Sequence, residues 1–180
     1  MQTQGFVDNY RFLARYNRWF NERLYAACEQ LSPEERQRDR GAFFGSIQAT
    51  LAHLVWADKT WLARFAAQGV SFASLPDALL RLPQGTAYGK GLHERWDELK
   101  SEREKLDAAI EGWTAEMGAD FPLATMRYAN TKGVQREHPM WQALTHFFNH
   151  QAHHRGQATT LLMQAGVDPG LTDLIALVQK

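Results

Sequence analysis

Residues 139 to 166 read PMWQALTHFFNHQAHHRGQATTLLMQAG. A helix is predicted to start near Pro139 and to run to Gly166, which suits a left-handed C-terminal cap with Pro169 beyond it. Between these limits, one row of positions at spacings of three or four is apolar at both ends and polar in the middle. Its members are Ala143, Phe147, His150, His154, Gln157 and Leu161. The pattern predicts a long helix that turns two histidines toward the protein core.

Three more long helices precede this one. The first spans residues 6–31, with apolar residues at alternating spacings of four and three and the polar Asn17 filling one gap. The second spans residues 46–69 and begins with a capping serine. The third carries large apolar residues at heptad spacing over residues 96–113. Four such helices predict an all-α four-helix bundle that forms a single domain over residues 1–180.

The segments between the long helices contain shorter elements. Ser32, followed by proline and two glutamates, forms a capping box for a short helix. The breaker-rich stretch 69–91 predicts a crossing connection with at most one helical turn. Residues 121–137 form two short β-prone runs around an Asn/Gly turn and predict a small β-hairpin. A short C-terminal helix is predicted over residues 171–178.

Composition excludes several classes of function. Twenty Lys and Arg balance twenty Asp and Glu, so no net charge draws the chain to nucleic acid or to an anionic membrane. No apolar stretch reaches the ~18 to 20 residues of a membrane helix, and the N-terminus lacks a signal-peptide pattern, which predicts a cytoplasmic protein. Cys28 is the single cysteine, so neither an internal disulfide nor a thiolate zinc site can form.

The histidines predict a metal site. Residues four apart lie on one face of a helix, so His150 and His154 can direct two imidazoles to one point. His53 lies in an inward-facing row of the second long helix and can supply a third donor, with the small Ala57 one turn away. The alternative is that His53 is a hydrogen-bonded core residue and that the other histidines belong to the surface.

Three motifs resemble the DinB/YfiT-like family. Asn149-His150-Gln151-Ala152-His153-His154-Arg155-Gly156-Gln157 resembles its signature in the fourth helix. Leu51-Ala52-His53-Leu54-Val55-Trp56-Ala57-Asp58 and Tyr16-Asn17-Arg18-Trp19 resemble its motifs in the second and first helices. The resemblance covers residues 6–166. It implies a homodimeric four-helix bundle with one divalent metal, often nickel or zinc, on three histidines that match His53, His150 and His154.

Three imidazoles leave at least one coordination position open on the metal. That position can activate water, or it can hold a small thiol as thiolate for attack on an electrophile, and the sequence leaves both open. We expect a metal-dependent transferase or hydrolase that acts on a small-molecule substrate. A thiol-transferase-like enzyme of the stress response, with a low-molecular-weight thiol as cosubstrate, is favoured by analogy with enzymes that resemble this family. The alternative is a non-catalytic metal-binding stress or sensor protein.

Two more residues are candidates near this site. Asn17 interrupts the apolar stripe of the first helix and either lines the cavity or serves as a buried structural amide. Gln157 can orient a ligand imidazole by a hydrogen bond. Arg155 lies off the chelating face and is expected to form a structural ion pair. Cys28, within the first helix, is expected to be an ordinary helix residue rather than a nucleophile.

The proposed ligands also constrain the order of the helices. In a ring with sequential neighbours, the second and fourth long helices would be diagonal, about 11 to 14 Å apart, which is too far for comfortable chelation. We therefore predict a non-sequential order in which these two helices lie side by side. The metal is expected near one end of their shared groove, and the hairpin of residues 121–137 is expected to cover an end of the bundle.

Overall fold

The computed structural model describes residues 4–178 and has four long helices. Two short helices and two strands lie in the connections, with 3₁₀ turns at Ala87–Gly89, Phe121–Leu123 and Leu174–Leu177. The elements in chain order are α1 (Gln4–Cys28), α2 (Pro33–Gln37), α3 (Ile47–Ala66), α4 (Asp77–Leu80), α5 (Trp96–Glu116), β1 (Thr125–Ala129), β2 (Gln135–Pro139) and α6 (Met140–Gln164). The predicted all-α bundle with a small hairpin is confirmed.

The helix boundaries follow the local signals of the sequence. The hydroxyls of Ser32 and Ser46 accept hydrogen bonds from the backbone N–H three residues later, as N-caps do. Gly166, just after α6, adopts a φ of +82°, which is the left-handed cap conformation. The predicted C-terminal helix is wrong in extent, because the structure forms only the 3₁₀ turn Leu174–Leu177, in which no residue is buried. A helix this short has no core face to stabilise it.

The long helices form a ring whose order differs from their order in the sequence. α3 packs against α5 and α6, and α1 packs against the same two helices, so that α1 and α3 are diagonal. The predicted contact between the second and fourth long helices is therefore confirmed. In the apolar core, the rings of Phe65, Trp113 and Phe147 meet with centroids 5.0 to 5.9 Å apart and join α3, α5 and α6.

The hairpin lies at the end of the bundle where α3 finishes. β1 and β2 pair antiparallel, with Thr125 opposite Pro139. The side chain of Gln68 accepts from the backbone N–H of Arg127 and donates to the carbonyl of the same residue. Met126 is fully buried and anchors the hairpin in the core. No helix among residues 4–178 is long and apolar enough to cross a membrane.

A buried polar network connects all four long helices at the middle of the bundle. Arg103 of α5 forms ion pairs with Asp58 of α3, at 2.5 Å, and with Asp107 of α5, at 3.0 Å. These side chains are at most 4% exposed, so each charge depends on its partners for stabilisation.

Neutral amides complete this network. Asn17 and Asn21 of α1 donate to the carboxylate of Asp107, and Gln151 of α6 donates to Asp58. Arg155 of α6 donates to the side-chain oxygen of Asn17 and stacks over Phe20. The ion pair expected of Arg155 is thus replaced by a hydrogen bond to an amide. These contacts fix how each helix is rotated about its axis.

We predict that Arg103→Met lowers the free energy of unfolding by about 3–5 kcal/mol, because it leaves Asp58 and Asp107 buried without their cation. Chemical denaturation measures the loss. The matched control is Lys100→Gln on the same helix, which breaks a partly exposed ion pair to Glu29 and should cost less than ~1 kcal/mol. Equal losses in the two variants would contradict the role given to Arg103.

Candidate metal centre

The structure brings His53, His150 and His154 together between α3 and α6. The Nε2 atoms of His53 and His150 are 3.4 Å apart, and those of His150 and His154 are 3.1 Å apart. One ring nitrogen from each residue lies within 4.8 Å of the other two. His53 occupies the second turn of α3, whereas the other two lie near the middle of α6. The group is therefore close to the start of α3 but not at an end of α6.

Hydrogen bonds on the far side of two rings set their orientation. Nδ1 of His53 lies 3.1 Å from the backbone carbonyl oxygen of Tyr88, and Nδ1 of His154 lies 2.7 Å from Oε1 of Gln157. Since both partners are acceptors, the two Nδ1 atoms carry the protons. The lone pair of each Nε2 then points to the centre of the group. Carbonyl or carboxamide partners of this kind commonly orient metal-ligating histidines.

A glycine makes the Tyr88 contact sterically feasible. The segment around Gly89 lies directly on α3, where a Cβ at position 89 would be 2.7 Å from the backbone N and Cα of His53. Gly89 also has a φ of +85°, a conformation that costs an L-residue energy. The close approach places the preceding carbonyl against the His53 ring.

Burial keeps the three imidazoles neutral. Desolvation lowers the pKa of His53 to about 4, and desolvation together with the neighbouring histidines lowers the pKa of His150 to about 3. The pKa of His154 is lowered mainly by burial. Phe44 contributes to this dry environment by stacking on His53 at 4.0 Å between centroids and by contacting His154 edge-on at 5.4 Å. Neutral imidazole is the form that binds metal ions.

The donor set fits a divalent transition-metal ion. Ligand bonds of about 2.0–2.1 Å in a tetrahedral site place neighbouring nitrogens about 3.3 Å apart, close to the two shortest distances in this group. At this separation the Nε2 of His150 either donates a proton to its neighbours or joins them as a lone pair in binding a cation. Three imidazoles suit zinc, nickel, copper or iron better than magnesium or calcium. The three histidines can therefore hold a metal ion.

A cleft of about 230 Å³ opens beside His53 and His150. It follows the exposed side of α3 toward the hairpin, and its walls are largely aromatic. Its lining comprises His53, Trp56, Ala57, Thr60, Trp61, Arg64, Tyr88, Tyr128, Asn130, Thr131 and His150. Among these lining residues none is acidic. The cleft gives a small molecule access to the histidine group.

Of the other candidate residues, only Gln157 lies at the histidine group. Gln157 contacts His154, as described above. Asn17 does not line the cleft, because its amide bridges Asp107 and Arg155 in the buried network, and its place in the sequence reflects that structural role. Cys28 is fully buried, and desolvation raises the pKa of its thiol to about 12, so it is no nucleophile at neutral pH.

Several residues of the site carry no signal in the sequence. The Tyr88 carbonyl, the Phe44 ring and the cleft-lining Tyr128 all come from connecting segments. Helical periodicity cannot place such residues, because contacts of connecting segments depend on the tertiary fold. Gly89, which directly follows Tyr88, is the one local hint of close packing.

We predict that Gly89→Ala destabilises the fold by about 2–3 kcal/mol, since it combines a positive-φ penalty with a clash against α3. Urea denaturation measures the change. Gly91→Ala is the matched control, because Gly91 has a φ of +70° but open space at its Cβ, and should cost only about 1 kcal/mol. Similar losses in both variants would show that the close contact with His53 does not affect the free energy of unfolding.

Sequence comparisons identify the family of this chain. The model of the DinB family matches residues 1–179. Protein DinB of Bacillus subtilis (strain 168) is 23% identical over 168 residues, which cover 89% of this chain and 88% of that protein. No solved structure matches the chain significantly. Since the family model spans almost the whole sequence, the chain belongs to the DinB family.

Proposed function

We propose that this protein binds one divalent metal ion, nickel or zinc, through His53, His150 and His154, and uses it to activate a small thiol for transfer to an electrophile. The observation that carries the proposal is the convergence of three neutral imidazoles, two of them with Nε2 lone pairs fixed toward the centre, beside an open cleft. When bound, the metal would supply a Lewis acid that favours the thiolate form of a coordinated thiol.

Each protein group has a definite task in this proposal. The three histidines hold the ion, and the Tyr88 carbonyl and Gln157 keep two of the rings in the required tautomer. Three protein ligands leave a coordination position open for the sulfur. Phe44 stacks on His53, and the tryptophans of the cleft provide apolar walls for a substrate.

The cleft favours a thiol over water as the nucleophile. Zinc metalloproteases employ a glutamate as general base, and none of the residues that line this cleft is acidic. A thiol needs less assistance, because the thiolate is already a strong nucleophile. In the reaction, the sulfur forms a bond to the electrophilic carbon, the leaving group departs with its electron pair, and the thiol proton passes to solvent. The homodimer and the cytoplasmic location stay predictions of the sequence analysis.

The ligand assignment predicts that His154→Ala loses the metal. Protein purified without chelator should contain about one equivalent of nickel or zinc per chain by elemental analysis, and the variant should contain less than ~0.1. The variant should remain folded, because the large apolar core does not depend on the ion. His138→Ala is the control, since His138 lies on β2 outside the histidine group, and should keep full occupancy. Full occupancy in His154→Ala would overturn the assignment.

The catalytic proposal predicts metal-dependent thiol transfer. Protein loaded with nickel, zinc or manganese is assayed with cysteine, glutathione or 2-mercaptoethanol and with 1-chloro-2,4-dinitrobenzene as electrophile, beside a set of ester substrates. We expect at least one thiol to react about tenfold faster or more than with His154→Ala, at a rate that changes with the metal. Background rates throughout, with full metal occupancy, would instead support the non-catalytic metal-binding alternative.

A further inference from the structure

Arg64 lies at the end of the cleft away from the histidine group. Arg64 follows His53 by eleven residues on α3, a rise of about 16 Å that returns to nearly the same face of the helix. Both side chains therefore face the cleft. The side chain of Arg64 folds back over Trp61, one turn nearer the histidines. The guanidinium and the histidine group are therefore separated by roughly 10 to 13 Å.

Two aromatic rings hold the Arg64 guanidinium. Its Cζ atom lies 4.7 Å from the ring centroid of Trp61 and 4.8 Å from that of Tyr128 on the hairpin. The Trp61 ring is itself packed between Tyr128 and His146, which limits its movement. Stacking covers the faces of the guanidinium but leaves the N–H groups at its edge free to donate. The group is thus ordered in advance of any ligand.

Arg64 has no anionic partner among residues 4–178. None of the described ion pairs or side-chain hydrogen bonds includes its guanidinium, whereas Arg127 on the adjacent hairpin pairs with Glu137 at 2.8 Å. Its side chain is also partly buried, and desolvation lowers the pKa of the guanidinium. A cation that is ordered and partly desolvated without a counter-ion gains more from an incoming anion than a solvated one does.

The rest of the cleft adds no negative charge. Its other lining side chains are aromatic, small or polar, with Asn130 and Thr131 at the hairpin turn as neutral hydrogen-bonding groups. Arg64 is the single charged side chain among the lining residues. A metal ion on three neutral imidazoles would make the opposite end positive as well. The cleft is therefore suited to a ligand with an anionic group, an apolar middle and a sulfur atom or electrophilic carbon at the metal.

We propose that Arg64 binds a carboxylate of the substrate, and that the cleft selects small thiols or electrophiles whose carboxylate lies about six bonds or more from the reacting atom. The substrate class rests on the proposed function, because the reacting end is defined by the metal. Guanidinium binds a carboxylate through two parallel N–H···O bonds, which also fixes the direction in which the ligand lies. Arg64 is a specificity residue in this scheme and takes no part in bond making.

The test compares two thiols that differ only at the far end. Nickel-loaded protein is titrated with 6-mercaptohexanoate and with 6-mercaptohexanol, and the sulfur-to-nickel charge-transfer absorption reports binding without any turnover. We expect the carboxylate to bind about tenfold tighter. Arg64→Gln should remove this preference and leave the affinity for the alcohol unchanged, whereas Arg64→Lys should retain part of it.

Arg23→Gln is the matched control. Arg23 stacks on Trp19 with its Cζ 4.0 Å from the ring centroid, but it lies on α1 and does not line the cleft. This variant should keep the full preference for the carboxylate. Equal binding of the two thiols in the unaltered protein, or the same loss in Arg23→Gln as in Arg64→Gln, would overturn the inference while the proposed function stands.

A second measurement separates this inference from the proposed function. If neither thiol produces the absorption band in metal-loaded protein, the thiol proposal fails. Calorimetric titration of His154→Ala with 4-phenylbutyrate and 4-phenylbutanol then tests Arg64 alone, without metal or sulfur. If the acid binds more tightly than the alcohol, and the difference disappears when Arg64→Gln is added to this variant, the anion site is supported. Equal affinity for acid and alcohol rejects it.

Discussion

Buried charges must be matched inside an apolar bundle, and this requirement determines how the four long helices fit together. Asp58 of α3 and Asp107 of α5 both pair with Arg103 of α5, while Asn17 of α1 links Asp107 to Arg155 of α6. An apolar stripe tolerates a helix that rotates or slides, because contacts between hydrocarbon groups are not directional. Ion pairs and amide hydrogen bonds are directional, so they select one rotation and one axial position for each helix.

The histidine group depends on that selection. Gln151, which bonds to Asp58, directly follows His150, and Asp58 lies five residues after His53 on α3. One hydrogen bond therefore fixes the relative height of the two helices beside the very residues that must meet. With α3 and α6 held in this register, the Nε2 atoms lie 3.1 and 3.4 Å apart. The polar network and the histidine group therefore share the same pair of helices, and the network holds the first of the two conditions for chelation, the relative height of those helices.

Most of this framework could be predicted from the sequence, because it depends on local patterns. Helix limits follow from caps such as Ser46 and Gly166, and the pairing of His150 with His154 follows from the period of the helix. The adjacency of α3 and α6 followed from the distance that chelation allows. Contacts between connecting segments could not be predicted in this way. The Tyr88 carbonyl reaches His53 only because Gly89 lies against α3, and Asn17 bonds to residues 90 and 138 positions away.

The diagonal placement of α1 and α3 also affects how the chain folds during synthesis. The two neighbours of α1 in the ring are α5, which begins at Trp96, and α6, which begins at Met140. As the chain leaves the ribosome, the first 95 residues contain two long amphipathic helices that do not pack on each other. Their apolar stripes lack native partners until α5 emerges and packs between them. The carboxylate of Asp58 likewise lacks its ion-pair partner until α5 supplies Arg103. The native packing of the earlier half of the protein therefore requires the third long helix, although that half is synthesised first.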